Sequence, residues 1–321
     1  MILIKKYLKY IGNLVTVVSI AFVIYAVFKL KIDFEKLANP GAVLILCIGA
    51  LGVTFTVYFL AYAWKNTLDY LSGRKNSYRD VAFVYGKANI GKYLPGNVMH
   101  YVERNLFAAK IGLNQLDLAI SSIIEVIGII IVALVFSAVC AHEELLQAVI
   151  RYVKPMYAVI LAVLGLLVIT AAFIICRKSQ RVRNMAKRLT GWKFFKVFVW
   201  NLIVYAVVLA ILGGILVLVC GFIYDVEIDG TGAAAIITYY MLAWVLGFIV
   251  PGAPGGIGVR EAILVLLLSP VIGDTVTLSA ALIHRLISII GDFTGYMIAL
   301  GLKPKEPTEK KQEVKRKGRT E

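Results

Sequence analysis

Apolar runs recur along the chain at about 10–30, 41–63, 116–140, 157–176, 196–220 and 276–300. Each approaches the roughly 20 residues that a helix needs to cross the hydrocarbon core of a bilayer. Two further stretches are apolar but broken. The first, from Asp80 to Leu113, is interrupted by Lys87, Lys92, the Pro95-Gly96 pair, Glu103 and Arg104. The second, from 233 to 270, is interrupted at Val250-Pro-Gly-Ala-Pro-Gly-Gly-Ile-Gly-Val-Arg-Glu261. The pattern predicts an all-α polytopic membrane protein with about six spanning helices, in which the two broken stretches form re-entrant helical hairpins.

The second break shows why. Pro251 and Pro254 cannot donate backbone hydrogen bonds, and Gly252, Gly255, Gly256 and Gly258 admit backbone angles that other residues resist, so the chain can turn sharply here. In lipid, irregular backbone survives only where protein buries it or where it lines a wet cavity. The alternative is a surface loop between two spanning helices. Length argues against that: the apolar arm 257–270 has 14 residues and reaches only about 21 Å, short of the core. Val259 onward would start a new helix, with Arg260 and Glu261 in its first turn, where free N–H groups and the positive dipole end suit an anion.

Charge then orients the path. The segment 64–80 carries Lys65, Arg74, Lys75 and Arg79, and 177–196 carries eight basic residues; both belong on the cytoplasmic side, as does the basic tail. The segments 141–147 and 221–231 lack such clusters and belong outside. With 233–270 entering and leaving from outside, every loop falls on the side its charge requires, with both termini cytoplasmic. The first hairpin then enters from the cytoplasm. Hydrophobic content of 60%, only 17% charged residues and a mean hydropathy of +0.84 place the chain far from soluble proteins, about half of whose residues are apolar. The net charge of +15 is accounted for by membrane orientation and needs no nucleic-acid partner. The first apolar run is too long for a cleaved signal and reads as a retained helix.

The two breaks resemble each other. Pro95 and Gly96 are followed by Arg104 and, 30 residues after Pro95, by Glu125; Pro254 and Gly255 are followed by Arg260 and, 31 residues after Pro254, by Arg285. Two such units entering from opposite faces have the form of an inverted repeat with a site near the midplane. Glu125 lies mid-helix with Ser121, Ser122 and Gly128 on its face; Arg285 has His284 beside it and Ser288 and Asp292 on its own. Charges at membrane depth face a partner or a pathway, and pairing Glu125 with Arg285 would satisfy both, whether for structure or for function. Lys92, Arg104 and Arg260, beside helix breaks, are candidates to meet an anionic head group; snorkelling at the cytoplasmic boundary is the other reading of Lys92 and Arg104. Tyr62, Trp64, Trp192 and Trp200 read as an interfacial aromatic belt. The four cysteines and three histidines (His100, His142, His284) form no metal-ligand spacing, and there is no phosphate loop or nucleophile arrangement, so no cofactor or metal is expected.

Gly91-Lys-Tyr-Leu-Pro-Gly96, the later Arg104, and Pro251-Gly-Ala-Pro-Gly-Gly-Ile-Gly-Val-Arg-Glu261 resemble the flippase-like transmembrane family. That family forms the membrane domain of lysylphosphatidylglycerol synthases and also occurs as stand-alone membrane proteins. The resemblance covers about residues 5–302 and implies a flippase-like domain over 1–302 in a multi-pass plasma-membrane protein that handles lipids. It carries a head-group role onto Lys92, Tyr93, Pro95, Gly96, Arg104, Pro254, Gly255, Gly256, Gly258, Arg260 and Glu261, with Glu125, His284, Arg285 and Asp292 as midplane charges. The segment 303–321 reads as a disordered basic cytoplasmic tail, not as a soluble synthase domain. The expected function is transport of an anionic phospholipid or polyprenyl-phosphate lipid, with membrane lipids as partners. The alternatives are the membrane component of a phosphatidylglycerol lysyltransferase, with its enzyme subunit encoded separately, or the membrane anchor of a glycosyltransferase.

Overall fold

The structure is a computed structural model, and it describes residues 37–94, 98–108, 113–140, 187–249 and 258–303. Among these residues there are eight α-helices and no strand: α1 (Pro40–Ser72), α2 (Tyr78–Asn89), α3 (Met99–Ala108), α4 (Gln115–Cys140), α5 (Trp192–Ile223), α6 (Gly230–Ile249), α7 (Val259–Ile272) and α8 (Asp274–Gly301). A short 3₁₀ helix, Ile90–Tyr93, continues α2. The expected spans at 10–30 and 157–176 lie outside the described residues, as do 304–321 of the expected tail.

The helices turn their polar side chains inward. In α4, Ser121, Ser122 and Glu125 are buried while Ile123, Ile127 and Leu134 are exposed; in α1, Thr54 and Trp64 are buried while Leu44, Leu51 and Phe55 are exposed. Water would drive the opposite arrangement, so the apolar outer face belongs to lipid. Helices α1, α4, α5, α6 and α8 are each long and apolar enough to cross a membrane. Lipid tails are as apolar as the helix surfaces, so close packing and small residues hold such helices together. At the α1–α8 crossing a Cβ on Gly291 would lie 2.6 Å from the Ala50 carbonyl oxygen. Thr54 Oγ1 donates to the Gly291 carbonyl at 2.9 Å, and Tyr58 donates to that of Gly295 at 2.6 Å.

The packing has a hidden order. When α1–α4 are exchanged with α5–α8 in sequence, every packed pair of helices maps onto another packed pair: α1·α2 onto α5·α6, α2·α3 onto α6·α7, α3·α4 onto α7·α8, and α2·α8 onto α6·α4. Helices α1 and α5 pack on each other at the centre, and they run antiparallel. Gly49 and Gly52 of α1 face Ile215, whereas Ala63 and Thr67 accept hydrogen bonds from Asn201 Nδ2 at 3.0 and 2.9 Å. A two-fold that exchanges antiparallel neighbours must run across the helices, in the plane of the membrane, which makes the repeat an inverted one.

The ends of the bundle differ in charge as the loops foretell. Arg188 of the second basic segment donates to the Leu71 carbonyl at 2.9 Å, Tyr70 donates to the Arg188 carbonyl at 2.6 Å, and Arg79 donates to the Leu302 carbonyl at 3.3 Å. The three basic regions therefore share one end. The start of α1 shares the other with the α5–α6 connection and the end of α7, where Leu37, Tyr224, Val226 and Ile272 pack in one cluster. In that connection Asp229 caps α6, accepting from the Gly232 N–H at 2.7 Å, and this bond holds its carboxyl below the usual carboxylate range.

Candidate functional site

The two hairpins enter from opposite ends and meet inside the bundle. Tyr101, near the tip of the α2–α3 hairpin, packs edge-on against Phe248, near the tip of the α6–α7 hairpin, with ring centroids 6.3 Å apart. Around this contact lies a cavity of about 130 Å³. Of the residues expected from sequence, Lys92, Tyr93, Arg104, Glu125, Arg260, Glu261, His284, Arg285 and Asp292 all line it. Pro95, Gly96, Pro254, Gly255 and Gly256 lie outside the described residues. Gly258 lies at the entrance to α7 with φ 83°, a conformation open to glycine, rather than on the cavity wall.

Three carboxylates organise the cavity, each held by its own donors. Glu125 accepts from Arg104 Nη1 at 2.8 Å and from the Tyr85 hydroxyl at 2.9 Å. The Arg104 guanidinium lies 3.6 Å from the Tyr85 ring centre and 5.0 Å from that of Tyr101, so aromatic faces take up the rest of its charge. Glu261 accepts from Arg285 Nη1 at 2.8 Å through one oxygen and from the Gly258 N–H at 2.7 Å through the other. The second bond satisfies one of the unpaired donors at the start of α7. Asp292, 1% exposed, accepts from Asn89 at 2.7 Å and from Tyr93 at 2.5 Å, and pairs with Lys92 at 2.7 Å.

This pairing corrects the expected one. Glu125 and Arg285 do not meet as an ion pair; each is joined to the short helix of its own unit. The geometry explains it. Glu261 lies 12 residues before Gly273 and Arg285 lies 12 after. Because α7 and α8 fold back on each other at that glycine, whose φ is 83°, the two side chains come level. The short arm thus brings its charge to the adjoining long helix before the other repeat can. Lys92 and Arg104 are likewise engaged, by Asp292 and Glu125, rather than held ready for an anion. Trp64 also departs from expectation: it is fully buried and donates from Nε1 to Ser121 at 2.8 Å, while Tyr62, Trp192 and Trp200 are exposed.

Arg260 stands apart. Its guanidinium lies 5.2 Å from the Trp244 ring centre, and its stem packs on Gly247 so closely that a Cβ there would collide with Arg260 Cγ. Its Nε is buried without a hydrogen-bond partner, and among the described residues no carboxylate lies within ion-pair distance of it. The masked tips add none: 95–97 and 250–257 contain no acidic residue, and neither do the apolar runs 10–30 and 157–176.

Several participants escaped the reading of the sequence. Tyr85, Asn89 and Tyr93 join Lys92 in a spacing of four, four and about one helical turn, which marks one face of α2 and its 3₁₀ extension; that signal was present within the broken stretch. His100, 7% exposed with Nδ1 unpartnered, and Trp244 had no sequence signal beyond residue type.

An all-α, multi-pass membrane protein, built as two inverted units around a charged cavity, is the class that fold and site define. The chain belongs to the family described as the lysylphosphatidylglycerol synthase TM region, which matches residues 17–294. No curated protein matches it.

Proposed function

We propose that this chain carries an anionic lipid between leaflets, with the head group drawn into the central cavity and its phosphate held by Arg260. The observation that supports this reading is the charge pattern of the cavity: three of its four cations are paired with carboxylates, and Arg260 is not. A guanidinium beside a helix start offers a phosphate both a bidentate fork and free N–H groups. The inverted repeat supplies the other requirement. Two related hairpins closing a midplane site from opposite faces can open in turn, which is how repeat-built transporters alternate access. In this reading the protein sits in the plasma membrane with the basic end of the bundle in the cytoplasm. The family's printed name supports a second reading, in which the chain is the membrane component serving a separately encoded lysyltransferase.

The test is lipid movement. Protein reconstituted in liposomes should speed the exchange of a fluorescent phosphatidylglycerol between leaflets, and Arg260→Ala should slow it about tenfold, since a hydrogen bond to a charged group is worth about 1.5–3 kcal/mol. Arg260→Lys should recover part of the rate, keeping the charge but losing the fork. Normal lipid export in cells carrying Arg260→Ala at wild-type protein levels would overturn the assignment.

A further inference from the structure

The charge balance of the cavity goes further than a preference for anions. Lys92, Arg104, Arg260 and Arg285 face Glu125, Glu261 and Asp292. With the histidines neutral, the cavity carries one uncompensated positive charge. We infer that it accepts a lipid phosphodiester whose head group is an uncharged polyol or sugar, and that it rejects head groups carrying an ammonium. This rests on the reading of Arg260 as the phosphate ligand.

The case against an ammonium has two parts. No carboxylate is left for it: Glu125, Glu261 and Asp292 each accept from at least two donors, one of them a cation. An incoming ammonium would have to displace an arginine or lysine that is already in place. The aromatic faces that could otherwise hold it are also occupied. Arg260 covers Trp244, Arg104 covers Tyr85 and Tyr101, and Tyr240 packs on His284 with ring centroids 4.7 Å apart. A quaternary or primary ammonium would thus enter a net positive site with neither an ion-pair partner nor an open ring.

The case for an uncharged polyol is the complement. One phosphodiester carries one negative charge and cancels the surplus on Arg260. The cavity also keeps a buried polar atom without a partner, Nδ1 of His100, which can bond a hydroxyl. A glycerophospholipid with a glycerol head group and a polyprenyl phosphosugar share this chemistry, and binding can tell them apart.

Four short-chain lipids should be titrated into the purified full-length protein, with tryptophan fluorescence as the readout and Trp244→Phe showing that the signal arises in the cavity. They are phosphatidylglycerol, a polyprenyl phosphoglucose, phosphatidylethanolamine and lysyl-phosphatidylglycerol. The expected result is that at least one of the first two binds tenfold or more tighter than either ammonium lipid, and the tighter of the pair identifies the lipid source. Arg260→Gln should weaken that binding about tenfold, and Arg260→Glu should reverse the order in favour of lysyl-phosphatidylglycerol. Equal, Arg260-dependent binding of an ammonium lipid would overturn the inference while leaving Arg260 as the phosphate ligand. Binding of all four unaffected by Arg260→Gln, or of none, would remove both.

Discussion

The two inverted units use the same pieces in opposite senses. In α1–α4 the short helix brings an arginine, Arg104, to a glutamate on the long helix; in α5–α8 the short helix brings a glutamate, Glu261, to an arginine on the long helix. The swap leaves each pair neutral but changes what lies beside it. Arg104 is enclosed by rings and 2% exposed, with nothing to spare for a ligand. Glu261 is turned toward its own helix start and Arg285, so the neighbouring Arg260 is left to face the cavity. The interfaces that join the units differ as well. Helix α2 meets α8 through the Asp292 cluster, whereas α6 meets α4 through Met241, Val245, Ile129 and Val132. One contact is directional and polar; the other is apolar and tolerant of sliding. The difference suggests where the molecule is fixed and where it can be altered cheaply.

The largest effect should come from the fully enclosed pair. Arg104→Ala leaves the Glu125 carboxylate buried with Tyr85 alone, and breaking such a pair costs about 3–5 kcal/mol. Thermal unfolding in detergent should show the loss, and the double change Arg104→Met with Glu125→Gln should recover most of it. Equal losses from the single and double changes would mean that the pair is not what holds α3 to α4.

Next in size is the contrast between the two joining interfaces. Asp292→Asn removes the charge facing Lys92 and weakens three bonds, for an expected loss of about 2–3 kcal/mol. Met241→Leu, in the apolar counterpart, should cost less than about 1.5 kcal/mol because volume is conserved. If the two melt alike, the polar cluster does not anchor α2 to α8. At the α1–α8 crossing, Gly291→Ala should cost about 1–3 kcal/mol, since the new Cβ meets backbone oxygen that cannot step aside. The smallest effect on stability belongs to Arg260→Ala, which gives up a contact with Trp244 worth about 0.5–1 kcal/mol. An unfolding loss as large as that of Arg104→Ala would show that Arg260 is a structural residue.

Much of this architecture was legible in the chain. Long apolar runs must become helices in lipid because no other segment satisfies its own backbone there, and Pro-Gly knots inside such runs must be buried or wet. The spacing that relates Pro95 to Glu125 and Pro254 to Arg285 carried the repeat, and basic loops marked the end of the bundle they share. Polar residues stranded at membrane depth marked the cavity, which is why nine of the expected residues line it. What sequence could not supply was who faces whom. Glu125 and Arg285 are the obvious partners in a list of midplane charges, yet a short helix folding back at Gly273 places Glu261 level with Arg285, and the return of α3 does the same for Arg104 and Glu125. Trp64 looked like a belt residue because residue type and position in a run do not reveal which way a helix is rotated. The chain determined which charges enter the membrane. Only the tertiary packing decided which of them cancel, and that Arg260 does not, because pairing depends on distances of a few ångströms between helices that are far apart in sequence.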